Sequence, residues 1–366
     1  MPRARPALPP APPPPGWRPS AAARLRALRV LADGRLSDPD GLDQRALEGG
    51  VASLCGLAPE RVRACASGSA ALFAALLAAG ARPGREVLLP ALAPAYVAGT
   101  VRLTGARPVA VEVEPDGLSP APGAVGARAG RRVAAVVWVA PLGAAPSPAA
   151  LVRALGERSP AVVEDAAQLL GERDDDGAPV GARAFAGVFS LAFGKALGVG
   201  EGGLLALAGT GAASAFAALE RGAGRGTGAL PRLAALGRLP PLTAALAGAS
   251  LAELDERRAR RRALGERLAA VASTAGVASL AAGGLPLWAG RFPSAAAARR
   301  AERRALGLRL ELVPPPAWTP TGRGLAVARD SGARVRILPW WDGAAARPAE
   351  AESLVRAFAC ALGAPA

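Results

Sequence analysis

Between about residue 60 and residue 205, short Val/Leu-rich runs alternate with Ala-rich helical stretches. That alternation is the pattern of a mostly parallel sheet covered by helices, and it restricts the chain to the α/β class. Val62–Ala66 leads into a helix over Ser69–Ala79, and Glu86–Pro90 into a helix ending near Gly105. Strands are predicted at Pro108–Glu114, Val133–Val139 and Ala161–Asp165, with a helix over Pro146–Arg158 between the last two. The rhythm then changes. Val188–Phe193 and Gly203–Leu207 are two short runs joined by a Gly-rich turn, and the chain beyond about residue 210 reads as helical, with a long Arg-rich helix near Leu251–Ala272. Strand-like segments at Arg309–Val313 and Arg334–Leu338 precede a last helix at Glu350–Leu362. The expected organisation is a Pro-rich disordered tail (1–20), a large α/β domain with N-terminal helices (21–230) and a smaller C-terminal α+β domain (231–366).

The net charge of +15 raises nucleic-acid binding as a possibility. The arginines are spread along the chain, however, and the runs at Arg257–Arg262 and Arg299–Arg304 lie in helical sequence where a solvated face is expected. Neither nucleic acid nor membrane is an expected partner. Cys55, Cys65 and Cys360 show no CxxC spacing, and the chain has no histidine. No metal site is expected, and a reducing cytoplasm is the expected setting. The uncharged stretch Gly202–Leu219 is Ala/Gly-rich and reads as buried strand followed by helix rather than as a membrane span. Trp138, Trp288, Trp340 and Trp341 are expected to pack in the core.

Among 44 Lys+Arg residues there is one lysine, Lys195, and no asparagine occurs anywhere. A composition that has replaced nearly every lysine with arginine leaves the survivor where arginine cannot serve. What arginine lacks is a primary amine able to lose its proton and attack a carbonyl. Three of the seven phenylalanines fall between residues 185 and 193, and glycines flank Lys195. An amine in such an apolar turn is partly desolvated, which favours its neutral form.

Two further segments supply what a phosphate-bearing aldehyde cofactor needs. Ser67-Gly68-Ser69-Ala70 lies at a strand-to-helix junction, where free N–H groups and the helix dipole attract an anion, although Ser and Gly before a helix far more often form an ordinary N-cap. Glu164-Asp165-Ala166-Ala167-Gln168 follows Ala161-Val162-Val163 and places a carboxylate at the carboxyl end of a parallel strand. Asp165 there can hold a pyridine nitrogen protonated, and Gln168 one helical turn on can donate to a ring oxygen. Ser190 stands five residues before Lys195.

In order and spacing, Ser67-Gly68-Ser69-Ala70-Ala71-Leu72, Val163–Gln168, Gly187–Ser190 with Lys195, and Gly200-Glu201-Gly202-Gly203 resemble the sugar aminotransferases of the DegT family. The resemblance implies fold type I, pyridoxal 5'-phosphate as cofactor, and homodimers with active sites at the subunit interface. It implies that Lys195 forms the Schiff base and shuttles the Cα proton, and that Asp165 pairs with the pyridine nitrogen. Gln168 would contact the ring hydroxyl side, and Gly68, Ser69 and Ser190 would hold the phosphate. The implied reaction moves an amino group, commonly from glutamate, onto a nucleotide-linked keto-sugar. A lysine rather than a histidine at position 195 favours amino transfer over the dehydration catalysed by related proteins.

Four positions depart from the family pattern. Pro94 stands where an aromatic stacks on the cofactor ring, with Tyr96 two residues later, and Leu236 stands where an asparagine reaches the neighbouring subunit's phosphate. Ala192 replaces a histidine and Gly194 a hydroxyl residue. These departures keep open the alternative of a catalytically degenerate paralogue with a regulatory or partner-binding role.

Overall fold

Val133–Val139 is buried along its whole length, as a strand covered on both faces must be. It is an interior strand of a seven-stranded sheet in a computed structural model that describes residues 19–37, 41–114, 119–139, 142, 145–155, 160–223, 237–281, 284, 287–308, 310–318, 326–339 and 348–364. The strands are β1 (Val62–Cys65), β2 (Glu86–Pro90), β3 (Arg107–Val111), β4 (Val133–Val139), β5 (Ala161–Asp165), β6 (Ala186–Ser190) and β7 (Gly203–Ala206). Their order is β1-β7-β6-β5-β4-β2-β3, with β7 antiparallel to both its neighbours and the other pairings parallel. A three-stranded antiparallel sheet follows, built from β8 (Ala278–Ala281), β9 (Leu287–Arg291) and β10 (Val335–Pro339) in the order β10-β9-β8.

The helices preceding and crossing over the large sheet are α1 (Ala21–Ala32), α2 (Leu42–Cys55), α3 (Gly68–Ala78), α4 (Ala95–Leu103), α5 (Pro122–Gly126), α6 (Ala149–Leu155) and α7 (Ala212–Ala223). Then come α8 (Pro241–Ala252), α9 (Leu254–Thr274), α10 (Ala295–Gly307), α11 (Ala326–Arg334) and α12 (Pro348–Leu362). Every residue of α3 from Ala70 to Leu76 is buried, because sheet strands, α4 and α7 all pack against it. One apolar cluster on that side gathers Leu72, Phe73, Val87, Val137, Val163 and Leu205, and a second on the other face gathers Leu47, Val51, Leu169, Phe189 and Leu204.

The expected α/β architecture is observed, with three differences in the C-terminal region. Leu251–Ala272 resolves into the end of α8 and then α9, which meet at Glu253. The strands β8 and β9 stand in a stretch read as helical. Arg309 lies outside the described residues, and the segment to Val313 contributes only an isolated bridge from Val313 to Ile337. Trp288 and Trp138 are buried, and Trp288 packs edge-on against Phe358 at 4.7 Å. Trp340, Trp341, Leu236 and most of the Pro-rich tail lie outside the described residues. No helix among the described residues is long and apolar enough to cross a membrane.

Candidate active site

Register brings the separated motifs together. Asp165 is the last residue of β5 and pairs with Val139 on one side and Val188 on the other. Ser190 ends β6 opposite Gly203, and Gly203 in turn faces Cys65 at the end of β1. The chain leaving Cys65 enters α3 directly. All these termini lie on the carboxyl edge of the parallel strands, where open α/β sheets leave a crevice.

Two adjoining cavities occupy this edge and share Tyr96, Asp165, Ala167 and Lys195. The smaller, ≈ 160 Å³, is lined by Ser67, Gly68, Ser69, Ser190 and Glu201. The larger, ≈ 190 Å³, adds Gln168 to a wall of Leu92, Pro94, Leu142, Pro315 and Ile337. All six residues singled out from sequence, Gly68, Ser69, Asp165, Gln168, Ser190 and Lys195, therefore line one or both of these adjoining cavities.

The smaller cavity is a helix-start pocket. Ser67 caps α3 by accepting from the Ala70 N–H at 3.1 Å, so the N-cap role falls to Ser67 while Gly68 and Ser69 present the first turn. Gly68 lies so close to β6 that a Cβ there would stand 3.0 Å from the Ser190 Cβ. That approach puts the Ser190 hydroxyl, which accepts from the Ala192 N–H at 3.2 Å, beside the amides of α3. The donor set suits a phosphate. On the far side, Gln168 accepts from the Leu142 N–H at 3.3 Å, which orients its amide. Leu142 adopts φ 61°, a left-handed backbone uncommon for non-glycine residues.

Asp165 is 5 % exposed and takes the Ala167 N–H at 3.2 Å. Burial holds its carboxyl above the ordinary range, against the Ala167 N–H and the Lys195 charge, which pull it down. Burial likewise holds the Lys195 amine below the ordinary lysine range, against the Asp165 charge, which raises it. For both groups desolvation outweighs their mutual attraction. A cationic ring nitrogen beside Asp165 would relieve that imbalance, and the residues present fit pyridoxal phosphate. Tyr96, at the start of α4, has its hydroxyl pushed up by burial and by the Asp165 charge.

Glu164, next to Asp165, points to the opposite face of β5 and is 2 % exposed. Burial raises it to about 7, against the Gly181 N–H at 2.8 Å and with a further rise from Asp174. A carboxyl raised on folding stabilises the fold while protonated, and that contribution is lost as pH climbs from its ordinary value toward about 7. Glu164→Gln is expected to remove this loss, making the protein more stable than wild type at pH 8 by up to about 3 kcal/mol. Urea midpoints at pH 5 and pH 8 for both proteins check it.

The sequence reading missed the buried arginines of α9. Arg257 and Arg261 are 6 % and 1 % exposed and face the Lys195 turn, whereas Arg299, Arg300, Arg303 and Arg304 on α10 form the solvated face expected of both runs. Helical spacing could have flagged them, since Leu254, Arg257, Arg261, Leu264 and Leu268 share one buried stripe.

Residues 21–280 match the DegT/DnrJ/EryC1/StrS aminotransferase family. The chain belongs to this family. Its curated relatives include the L-glutamine:2-deoxy-scyllo-inosose aminotransferase of Streptomyces fradiae, 38% identical over 138 residues. That alignment takes in 38% of this chain and 32% of the relative, so the chain spans about a third of the relative's length. Among solved structures, the aminotransferase TlmJ of Streptoalloteichus hindustanus superposes with TM-score 0.81 at 24% identity, covering 94% of this chain and 96% of TlmJ. DesV of S. venezuelae, solved in complex with a ketimine intermediate, gives TM-score 0.76 at 26% identity over 92% of this chain and 93% of DesV. The DegT-family fold is thus present from the N-terminal helices through the C-terminal sheet.

Proposed function

We propose that the chain is a pyridoxal-phosphate-dependent aminotransferase that moves an amino group from glutamate or glutamine onto a nucleotide-linked keto-sugar. The observation that carries this reading is the placement of the only lysine, desolvated, across a cavity from a buried carboxylate and beside a helix-start pocket. When bound, the cofactor supplies an aldehyde for amine capture and a ring that accepts the electron pair left on the substrate carbon.

Each residue then has a defined task. Lys195, held toward its neutral form, would be the amine that holds the cofactor and the group that moves the proton to and from the reacting carbon. Asp165 would hold a ring nitrogen in its protonated form, the form in which the ring accepts electrons. Gly68, Ser69 and Ser190 bind the phosphate, and Gln168 meets the ring's hydroxyl side. Leu92, Pro94, Leu142 and Ile337 restrict water on the substrate side. Tyr96 borders both cavities and is the aromatic available to cover the ring face that Pro94 leaves bare.

The test is the visible spectrum of the purified full chain with added cofactor, beside Lys195→Arg. A band that borohydride fixes to Lys195 in the wild type alone is expected, and added glutamate or glutamine should bleach it. No band at saturating cofactor would sink the reading and leave a degenerate paralogue. A keto-cyclitol acceptor is a second reading, favoured by the acceptor named for the S. fradiae relative, and a paired screen of both acceptor classes separates them. Tyr96→Ala should weaken cofactor binding by about threefold to tenfold, and Tyr96→Phe should keep it, as expected for ring stacking worth about 0.5–1.5 kcal/mol. Fluorescence titration reads this directly. The reading extends to a cytoplasmic setting and to a homodimer; the exposure of Phe193, two residues before Lys195, supports the dimer, and sedimentation would test it.

A further inference from the structure

The turn carrying Lys195 has little of its own to hold it. It lies between Gly194 (φ 78°) and Gly198 (φ 60°), both in the left-handed region that glycine enters freely. Its internal bonds are few, among them Lys195 N–H to the Ala192 carbonyl at 3.1 Å and Phe193 N–H to the Gly200 carbonyl at 3.0 Å. The next three carbonyls are instead taken by α9. Arg257 Nη1 donates to the Leu197 carbonyl at 2.9 Å, and Arg261 donates to Ala196 at 3.1 Å and to Lys195 at 3.4 Å. Arg261 also reaches the Gly284 carbonyl, just before β9, at 3.4 Å.

Burying two guanidinium groups costs free energy that their hydrogen bonds must offset, so the arrangement calls for a reason. The helix bearing them is itself fixed on the site's other side. Arg258 forms a two-pronged pair with Glu172 at 2.8 and 2.6 Å, and Arg262 adds a contact to the same carboxylate at 3.2 Å. Glu172 follows Asp165 and Gln168 in the chain. One helix thereby ties the lysine turn to the segment that supplies the opposing carboxylate.

We propose that Arg257 and Arg261 are positioning residues, which set the direction and depth at which the Lys195 amine enters the cavity opposite Asp165. The inference rests on the reading of Lys195 as the reacting amine. The charged and titratable groups around that amine are Asp165 from β5, Tyr96 from α4, Glu201 in the smaller cavity, and the two arginines behind the turn. Slackening the turn lets the amine reach water. Relief of burial then returns it toward the ordinary lysine value of 10.5.

The chain's single lysine makes this measurable without cofactor. An amine-reactive reagent, read by peptide mass on the full chain, reports the pH midpoint of Lys195 and resolves it from the α-amino group. Arg257→Met and Arg261→Met are expected to raise the midpoint, each unit of rise lowering the neutral fraction at pH 8 about tenfold. Arg336→Met is the control, because it removes an equally buried guanidinium (5 % exposed) that bonds its own strand and Glu302 instead. It should leave the midpoint at the wild-type value. A wild-type midpoint in folded Arg257→Met or Arg261→Met overturns the proposal, and so does an equal shift in Arg336→Met. If Arg261→Met does not fold, Arg257→Met decides alone. Failure of wild-type Lys195 to be fixed to the cofactor by borohydride would overturn the aminotransferase reading instead, leaving the labelling comparison intact.

Discussion

Lys195→Arg is expected to fold as the wild type does and to lose at least about 10⁴-fold in amino transfer, the upper range for removing a positioned proton-transfer group. Nucleophilic capture is lost with it, so the residual rate should fall below detection. Arginine keeps the positive charge beside Asp165, and Lys195 sits half-buried in a glycine-bounded turn with room at the cavity, so no packing defect is forced. What disappears is the ability to become neutral. The guanidinium stays protonated at every pH where the protein is folded, whereas burial already holds the Lys195 amine below the ordinary lysine range. Matched circular-dichroism melts establish folding, and single-turnover rates with donor establish the loss. Retention of even about one hundredth of the wild-type rate, against the loss of about 10⁴-fold expected, would remove Lys195 from the chemistry.

The large sheet was legible because its strands announce themselves by composition. Val133–Val139 is a continuous apolar run, and Ala161–Asp165 ends in a carboxylate that no buried strand carries without cause. Lys195 stood out by rarity, and the glycines and phenylalanines around it marked its turn. β8 and β9 were hidden for the opposite reason. Ala278-Ser279-Leu280-Ala281 holds no β-branched residue, and pairing with β9 rather than local preference makes it a strand. Arg257 and Arg261 were read as solvated because a charge run gives no sign of which face turns inward. Their burial is a tertiary fact, set by the carbonyls of a turn sixty residues away in sequence. Tyr96 could be named as a substitute for the aromatic missing at Pro94, but only the start of α4 over the cavity brings it to Asp165.

Asp165→Asn separates two effects that removal of a carboxylate usually confounds. Asparagine keeps the shape and an oxygen able to accept the Ala167 N–H, so the turn after β5 should persist. The negative charge is lost, and with it the carboxylate charge that raises the Lys195 amine. The labelling midpoint of Lys195 should therefore move down, leaving more neutral amine at pH 7. Turnover should nonetheless fall by about 10²–10³-fold, because a neutral amide cannot hold a ring nitrogen protonated and the electron sink weakens. Stability should hold or rise at neutral pH. Burial raises the Asp165 carboxyl, so its ionisation on going from acid to neutral pH opposes folding, and the amide does not ionise. A more reactive lysine in a slower, no less stable enzyme is a combination that damage to the fold does not produce. If turnover instead falls together with Lys195 reactivity and the melting temperature, Asp165 serves packing and capping. If turnover stays at the wild-type level, the pairing of Asp165 with the ring nitrogen is wrong.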